Sequence, residues 1–251
     1  MKTIVRVAWL AILWGTSAAV TAAELSVFSA GAVKPALSAL IDNYQKASGH
    51  TLVVEYAPVG VLLKRLSEGA QPDVLVVTTD VIDDVQRKGW TLPNSAVPLG
   101  SVGVGVAMLD GAKAPDISSP EALKQTILAA KSITYIDPAK GTSGKHFADV
   151  LQRLGIAEQV RGKTVLGETG YVVEPVARGE VELGIQQITE ILPVQGVTLV
   201  GPLPAPLQKV TTYVVAQGLR ARDTATAKDF MAFLGSPGAQ QIFRQKGFAA
   251  P

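Results

Sequence analysis

Four turns of small or polar residues each follow a predicted strand and precede a predicted helix, and such turns can bind a small anion. They span residues 29–32, 57–60, 141–145 and 168–171. The first backbone N–H groups of a helix have no partner within the helix, and the helix dipole adds about half a positive charge at that end. Backbone N–H groups placed in this way favour a phosphate, sulfate or carboxylate group.

The strongest of the four candidate sites is the turn at 141–145, with the sequence GTSGK. Thr142 and Ser143 offer hydroxyl groups, Gly144 lets a ligand approach the backbone, and the final lysine adds positive charge. The alternative is an ordinary amino-terminal cap of a surface helix. The turn is not a nucleotide-binding P-loop, because that motif requires a glycine where this chain has Ala139.

Two turns in the first third of the chain offer a ligand only their backbone N–H groups. One contains Gly31 and Ala32, and the other contains Val59 and Gly60. Glycine allows a close approach to the backbone, so we expect these four residues to contact the ligand through their main chain. Each turn taken alone is also compatible with a role in packing only.

Polar side chains mark the remaining candidate positions. Thr169 lies in the turn ETGY at 168–171, which also carries a carboxylate and a phenol, and Gln187 follows a predicted strand. Because buried amides need hydrogen-bond partners, we expect Thr169 and Gln187 to contact the ligand. The alternative for Gln187 is a polar strand end that faces solvent.

The sequence lacks the motifs of the common hydrolases. It contains neither the zinc-binding pattern H-E-x-x-H nor the nucleophile pattern G-x-S-x-G. Its two histidines are His50, which we expect on the surface, and His146. His146 lies one turn into the helix that follows GTSGK, from where it could reach a cleft.

The hydrophobic pattern predicts alternating strands and helices along the chain. Three strand–turn–helix units fill residues 25–88, which predicts a right-handed, mostly parallel open sheet. Further strands and helices follow from residue 99, including a helix at 171–178. A strand at 210–216 then leads back towards the first sheet, and two amphipathic helices end the chain.

These elements predict an α/β protein of two lobes, with mixed, mostly parallel sheets joined by a hinge of two strands. We assign residues 24–98 and 215–251 to the first lobe and residues 99–214 to the second. Open α/β sheets bind ligands beyond the carboxyl ends of their strands. The candidate turns occupy such positions, so the ligand is expected in the cleft between the lobes.

The amino-terminal residues predict export from the cytoplasm. Lys2 and Arg6 form a basic start, and an apolar run and small residues then lead to Ala23. This order is typical of a signal peptide over residues 1–23, cleaved after Ala22 or Ala23. We therefore expect a periplasmic protein, since the apolar run is shorter than the ~20 residues of a membrane span.

Charge and cysteine content exclude several functional classes. The 251 residues include 23 basic and 21 acidic ones, and loss of Lys2 and Arg6 leaves 21 of each, so the mature chain is formally neutral. A neutral chain does not suggest binding to nucleic acid or to an anionic membrane. The sequence has no cysteine, which excludes disulfides and thiolate metal sites. We expect no metal and no cofactor.

The order of the turns resembles the periplasmic molybdate-binding protein family of transporter receptors, over nearly the whole mature chain. The resemblance is carried by VFSAGA at 27–32, GAQPDV at 69–74, Asp137-Pro138 followed by Ser143-Gly144, the stretch 151–155, LGI at 183–185, and the end at 235–248. It implies the type 2 periplasmic-binding-protein fold, a small anionic ligand in the cleft and a membrane permease as a partner. The resemblance also places Ala32 and Val59 at positions where the family has serines.

Three functions follow from this resemblance. Without the two serine hydroxyls, a buried tetrahedral oxyanion would keep unpaired oxygens, at about 1–3 kcal/mol each. We therefore expect a monomeric receptor for an organic carboxylate or polycarboxylate, with a molybdate or tungstate receptor as one alternative. The other alternative is aconitate isomerase, which is similar to these receptors and interconverts trans- and cis-aconitate by a cofactor-free 1,3-proton shift. Its proton-transfer group would be one of four residues, His146, Tyr171, Glu168 or Lys145.

Overall fold

The computed structural model describes residues 22–250 of the chain. The predicted signal peptide lies outside this range, apart from Ala22 and Ala23. Within residues 22–250, no helix combines the length and the apolar character that a membrane crossing requires.

Nine strands of the described chain form one continuous hydrogen-bonded arrangement. In chain order they are β1 (Glu24–Ala30), β2 (Thr51–Ala57), β3 (Val74–Thr78), β4 (Val97–Leu109), β5 (Ile133–Ile136), β6 (Thr164–Gly167), β7 (Leu183–Gln187), β8 (Val197–Pro202) and β9 (Val210–Gln217). The α-helices of residues 22–250 are α1 (Lys34–Ser48), α2 (Val59–Ser67), α3 (Thr79–Arg87), α4 (Pro120–Ala129), α5 (Thr142–Arg153), α6 (Ala157–Val160), α7 (Glu174–Ala177), α8 (Ile188–Ile191), α9 (Thr224–Gly235) and α10 (Pro237–Gln245).

The strand order is β2-β1-β3-β9-β4-β7-β5-β6, and β8 also pairs with β4. β1 is parallel to β2 and β3, and β5 is parallel to β6 and β7. β9 is antiparallel to β3 and β4, and β4 is antiparallel to β7 and β8. The predicted mixed α/β fold is therefore confirmed, with four parallel pairings towards the two ends and four antiparallel pairings at the junction of the two halves.

The hydrophobic core is divided between the two ends of this strand arrangement. One cluster of buried residues comes from β1, β3, β9, α1, α9 and α10, and we call this part of the molecule lobe 1. A second cluster comes from β5, β7, α4 and α5, and we call this part lobe 2. β4 runs through both, because Val102 packs in the first cluster and Val104 in the second. The residue boundaries that we predicted for the lobes fall within β4 and β9 and stay a prediction.

Four elements of lobe 2 differ from the sequence-based prediction, and two of them are the short helices α6 and α8, which were not predicted. The helix predicted at 171–178 is the short helix α7, with Pro175 in its first turn. Proline has no N–H group with which to continue a helix that began earlier, so residues 171–173 form a turn instead. The strand β8 was not predicted, because its residues are mostly half-buried and show no alternation of buried and exposed side chains.

Asp73, the aspartate of the motif GAQPDV, connects two segments of lobe 1. Asp73 is 0 % exposed, and its carboxylate accepts hydrogen bonds from the Ser26 N–H (2.7 Å), the Arg222 N–H (2.7 Å) and the Arg222 guanidinium (2.8 Å). It therefore connects β1 to the segment between β9 and α9. Burial acts to raise the pKa of Asp73, but the hydrogen bonds from Arg222 and Ser26 outweigh burial and hold that pKa below its usual value.

Candidate functional site

A cleft between the lobes is lined by residues from both of them, and we call it the interlobe cleft. Its cavity measures about 90 Å³, which is small compared with the roughly 300–1,000 Å³ of most ligand pockets. Its lining residues are Ala30, Gly31, Ala32, Lys34, Tyr56, Ala57, Pro58, Val59, Ile136, Gly141, Thr142, Ser143, Thr169, Gly170, Tyr171, Gln186, Gln187, Glu190 and Tyr213.

The lobe 1 wall of the cleft includes two apolar side chains. Ala32 and Val59 are 3 % and 7 % exposed and belong to the core cluster of lobe 1. Neither side chain has a polar atom, so any hydrogen bond that these two residues give to a ligand must come from the main chain. Methyl groups suit contact with the carbon skeleton of an organic ligand.

Lys34 supplies the positive charge of the interlobe cleft and is the one Lys or Arg among its lining residues. Its Nζ lies 5.7 Å from the ring centroid of Tyr56 and 5.3 Å from that of Tyr171. Tyr56 is on β2 of lobe 1 and Tyr171 belongs to lobe 2, so the ammonium group bridges the lobes by cation–π contacts. We did not predict Lys34, because a lysine in the first turn of a helix is usually a surface residue.

The amino-terminal end of α5 forms part of the lobe 2 wall. Thr142 and Ser143 line the cleft, and Ser143 is 4 % exposed. Gly141 precedes the helix and has no side chain to cap it, so the N–H groups of the first turn are free of side-chain caps. Gly144 does not line the cleft, since a Cβ on it would lie 1.8 Å from the carbonyl oxygen of Ile136. Glycine is required there because α5 packs closely on β5.

Two glutamines at the end of β7 lie at the back of the cleft. The Nε2 of Gln186 donates to the carbonyl oxygen of Gly170 (2.9 Å), and the Nε2 of Gln187 donates to the hydroxyl of Thr211 (3.4 Å). The Oε1 atoms of both glutamines are buried, with no hydrogen-bond partner among residues 22–250. This part of the wall can therefore accept a hydrogen bond from a bound molecule. Thr169 also lines the cleft, as predicted.

The buried carboxyl group of the cleft belongs to Glu190, which we did not predict. It lies on α8, directly after β7, and is 9 % exposed. Its Oε1 lies 2.9 Å from the position that a Cβ on Gly31 would occupy, so it reaches lobe 1. Burial raises the pKa of Glu190 to about 8, and a hydrogen bond from Gln186 only partly opposes this effect. A carboxyl group with that pKa is largely protonated at neutral pH.

Two phenols close to Glu190 also line the cleft. Burial, together with the charge of Glu190, raises the pKa of Tyr213 well above its usual value of 10. The same two causes raise the pKa of Tyr171. Both phenols therefore stay protonated at neutral pH and can donate hydrogen bonds to an anion.

Gly60 contacts the opposite lobe, not the cleft. Its N–H donates to the carbonyl oxygen of Lys140 (2.8 Å). A Cβ on Gly60 would lie 2.8 Å from that oxygen and 2.9 Å from the carbonyl oxygen of Ala139. Gly60 lines a second groove between the lobes, next to the interlobe cleft. In this structure its N–H therefore joins α2 of lobe 1 to lobe 2, and its contact with a ligand stays a prediction.

Three of the four predicted proton-transfer candidates lie away from the interlobe cleft. His146 and Lys145 line the second groove. The Nε2 of His146 is 2.8 Å from the carbonyl oxygen of Leu207, and burial lowers the pKa of this histidine. Glu168 is exposed and pairs with Lys140. Only Tyr171 lines the cleft.

The interlobe cleft therefore combines one lysine, three phenols, the hydroxyls and first N–H groups of α5, two amides and one buried acid. Across residues 22–250, no group of three or more His, Cys, Asp or Glu side chains could hold a metal ion. The groups that are present can bind carboxylates through charge and hydrogen bonds. The buried acid can also exchange one proton with a bound molecule.

A two-lobed α/β fold with a polar cleft between its lobes defines the class of type 2 periplasmic binding proteins. The chain belongs to the family of bacterial extracellular solute-binding proteins, whose family model matches residues 25–249. The resemblance to the molybdate-binding proteins, inferred from the sequence, is confirmed by the relatives of the chain.

The relatives of the chain include an enzyme as well as molybdate-binding proteins. An aconitate isomerase from a Pseudomonas species is 30 % identical over 229 residues, which cover 89 % of this chain and 86 % of that protein. The molybdate-binding protein of Haemophilus influenzae is 26 % identical over 261 residues, which cover both chains fully. The structure of the Azotobacter vinelandii periplasmic molybdate-binding protein matches with a TM-score of 0.77 at 19 % identity, over 90 % of this chain and 99 % of that chain. The structural match establishes the fold alone.

Proposed function

We propose that the interlobe cleft binds a small organic polycarboxylate. The observation that carries this proposal is the mixed lining of the cleft. Ala32 and Val59 are apolar and offer no hydroxyl, while hydrogen-bond donors are available from Lys34 and the phenols and from the start of α5. A tetrahedral oxyanion needs donors on all sides, and each buried oxygen left unpaired costs about 1–3 kcal/mol. A polycarboxylate instead has charged ends and an apolar skeleton, which match these two kinds of surface.

The state of Glu190 also supports a carboxylate ligand. An ionised glutamate would repel an anion in so enclosed a site. With its pKa raised to about 8 by burial, Glu190 is largely in its acid form at neutral pH and donates a hydrogen bond. A carboxylic acid that faces a carboxylate makes a strong, charge-assisted hydrogen bond.

Thermal denaturation of the mature chain with a panel of anions tests this proposal. We expect trans-aconitate, citrate or tricarballylate to stabilise the protein, by about 2.7 kcal/mol when the ligand is present at 100 times its Kd. Molybdate and tungstate are expected to give no measurable stabilisation. Stabilisation by molybdate alone would contradict the proposal.

Lys34→Gln is expected to lower polycarboxylate affinity about tenfold or more, because the substitution removes the one cationic side chain of the cleft lining. Isothermal titration calorimetry at several salt concentrations measures this effect. Lys113→Gln changes an exposed lysine of lobe 2 that does not line the cleft, and serves as the matched control. Equal affinities for the two variants would rule out Lys34 as a ligand-binding residue.

A second candidate function is the isomerisation of aconitate. Two observations favour it: the relative that is 30 % identical over most of both chains is an aconitate isomerase, and the cleft contains a buried acid with a pKa of about 8. Groups with a pKa near the working pH are the most effective in general acid–base catalysis. Incubation with trans-aconitate, followed by chromatography, should then show cis-aconitate, and the absence of product would leave binding as the function.

Membership of an extracellular family supports the remaining parts of the proposal. Residues 1–23 act as a signal peptide, and the mature chain is a periplasmic monomer. If binding is its function, the chain delivers the ligand to a membrane permease after the lobes, residues 24–98 with 215–251 and residues 99–214, close on it as in hinge-type receptors. Mass spectrometry of the exported chain should show an amino terminus at Ala23 or Glu24.

A further inference from the structure

We infer that Glu190 is the proton-transfer residue of the interlobe cleft. In the fraction of complexes in which Glu190 is ionised, its carboxylate removes a proton from the methylene group next to a bound carboxylate, and the resulting acid returns the proton to the carbon two positions along. This inference rests on the second candidate function, the isomerisation of aconitate.

The position of Glu190 fits this role. α8 begins where β7 ends, at the back of the cleft, and packs against the short 3-10 helix Gly31–Val33 of lobe 1. Since Oε1 lies 2.9 Å from where a Cβ on Gly31 would stand, the carboxyl group sits where the lobes meet. A ligand held there by Lys34 and α5 would have its skeleton between the carboxyl group and the apolar wall.

The other acid–base groups are less suitable for the transfer. His146 and Lys145 line the second groove, and Glu168 is exposed and paired with Lys140. Tyr171 lines the cleft, but burial raises its pKa further above 10, so its phenolate is scarce at neutral pH. Glu190 is therefore the group that is both in the cleft and able to change its protonation state near neutrality.

The transfer is balanced without a cofactor. One C–H bond of the methylene group breaks, and its proton goes to the Glu190 carboxylate. The electron pair spreads over the adjacent double bond and the carboxylate beside it, so the double bond moves by one carbon. A new C–H bond forms at the far carbon with the same proton, which restores the carboxylate. Hydrogen bonds from Tyr171, Tyr213 and the start of α5 can stabilise the charge that develops on the substrate carboxylates.

The elements packed against α8 bring few ionisable groups to Glu190. β7 contributes the neutral amide of Gln186, and β9 contributes Tyr213. The 3-10 helix Gly31–Val33, β4 and β8 carry no ionisable side chain. Tyr171 lines the same cleft, and its pKa responds to the charge of Glu190. Lys34 directly follows the 3-10 helix and is the cationic residue of the cleft lining. The protonation of Glu190 is therefore controlled mainly by burial and by the ligand itself.

Glu190→Gln tests the inference, because glutamine keeps the shape of the side chain and its ability to donate a hydrogen bond. We expect trans-aconitate turnover to fall about 10³-fold, while the affinity for trans-aconitate changes less than about tenfold. Glu190→Asp keeps a carboxyl group and should retain measurable turnover. Glu121→Gln, an exposed glutamate on α4, is the matched control and should leave turnover unchanged.

Two pH-dependent readouts separate proton transfer from a merely structural role. In the wild type, kcat/KM should rise about tenfold per pH unit below pH ~8 and then level off, because the free enzyme must be ionised to accept the proton. In calorimetry at pH 8 in buffers of different ionisation enthalpy, binding of trans-aconitate should take up about half a proton, because the anion favours the acid form of Glu190. Glu190→Gln should abolish this uptake.

The outcomes distinguish this inference from the function on which it rests. A wild-type chain that binds trans-aconitate without converting it overturns both the isomerase function and the role of Glu190, and leaves the binding proposal intact. A wild-type chain that converts trans-aconitate, with Glu190→Gln equally active, overturns the role of Glu190 alone. Unchanged proton uptake in Glu190→Gln would also contradict the assignment.

Discussion

Replacing Asp73 with alanine is expected to lower the free energy of unfolding by about 2–4 kcal/mol, because two backbone donors lose their acceptor at about 1–3 kcal/mol each. Asp73 is 0 % exposed and accepts hydrogen bonds from the N–H groups of Ser26 and Arg222 and from the Arg222 guanidinium. The substitution leaves the N–H groups of Ser26 and Arg222 without this acceptor. It also removes the connection between β1 and the segment that leads into α9. Urea denaturation followed by circular dichroism measures the loss.

Asp84→Ala is the matched control, because Asp84 is exposed and pairs only with Arg87 on the same helix. It should change the free energy of unfolding by less than about 0.5 kcal/mol. The pKa of Asp73 is lower in the folded chain than in the unfolded one, so its contribution is complete above the unfolded pKa and is lost as the pH falls through the folded pKa. The difference between Asp73→Ala and the wild type should therefore narrow in acid. A loss of less than about 1 kcal/mol at pH 7 would show that the carboxylate is not a structural anchor.

Gly60→Ala should lower the affinity for a polycarboxylate about 100-fold, a cost of about 2.7 kcal/mol. A Cβ on Gly60 would lie 2.8 Å from the carbonyl oxygen of Lys140 and 2.9 Å from that of Ala139. Both oxygens are main-chain atoms of lobe 2, so the lobes cannot approach as closely as they do here, and the hydrogen bond from Gly60 to Lys140 is lost. Calorimetric titration gives the affinity, and small-angle X-ray scattering should show a more open chain.

Gly60→Ala should have little effect on the stability of lobe 1, because alanine is more favourable than glycine in a helix by about 1 kcal/mol. Gly238→Ala in α10 adds a methyl group with no atom within 4 Å and is the control for both measurements. If Gly60→Ala bound the ligand as tightly as Gly238→Ala, the contact between Gly60 and Lys140 would have no part in closing the cleft.

The parts of the site that could be predicted from the sequence are those with a local signal. The GTSGK turn shows its hydroxyls and glycines side by side, and Thr142 and Ser143 do line the cleft. Gln187 comes at the end of a mainly buried strand, next to Gln186, so its amide was expected to need a partner. Such signals depend on residues close together in the chain, and they also predicted the alternating strands and helices that form the two lobes.

The residues that were missed acquire their role only through tertiary structure. Glu190 occurs in the sequence ITEIL at 188–192, which matches no functional motif, yet folding places its carboxyl group against Gly31 of the other lobe. Lys34 similarly becomes a cleft residue only because Tyr56 and Tyr171 come together around it. An acid among isoleucines directly after a buried strand is the one signal that could have identified Glu190.

Tertiary packing also explains why two glycines and the histidine of the predicted site contact other parts of the chain. Gly144 is required where α5 packs on Ile136, and Gly60 where α2 meets the main chain of lobe 2. A glycine in a turn before a helix has the same appearance in the sequence whether a ligand or another chain segment approaches it. The orientation of His146 towards Leu207 likewise depends on a segment 61 residues away.

Competition calorimetry tests the central claim, a cleft for organic polycarboxylates, most directly. The mature chain is titrated with trans-aconitate at pH 7, first alone and then in the presence of excess molybdate. We predict micromolar or tighter binding of trans-aconitate that molybdate leaves unchanged and that Lys34→Gln weakens. Tight binding of molybdate, with no heat from trans-aconitate, would contradict the claim and show that main-chain donors at Ala32 and Val59 can replace serine hydroxyls.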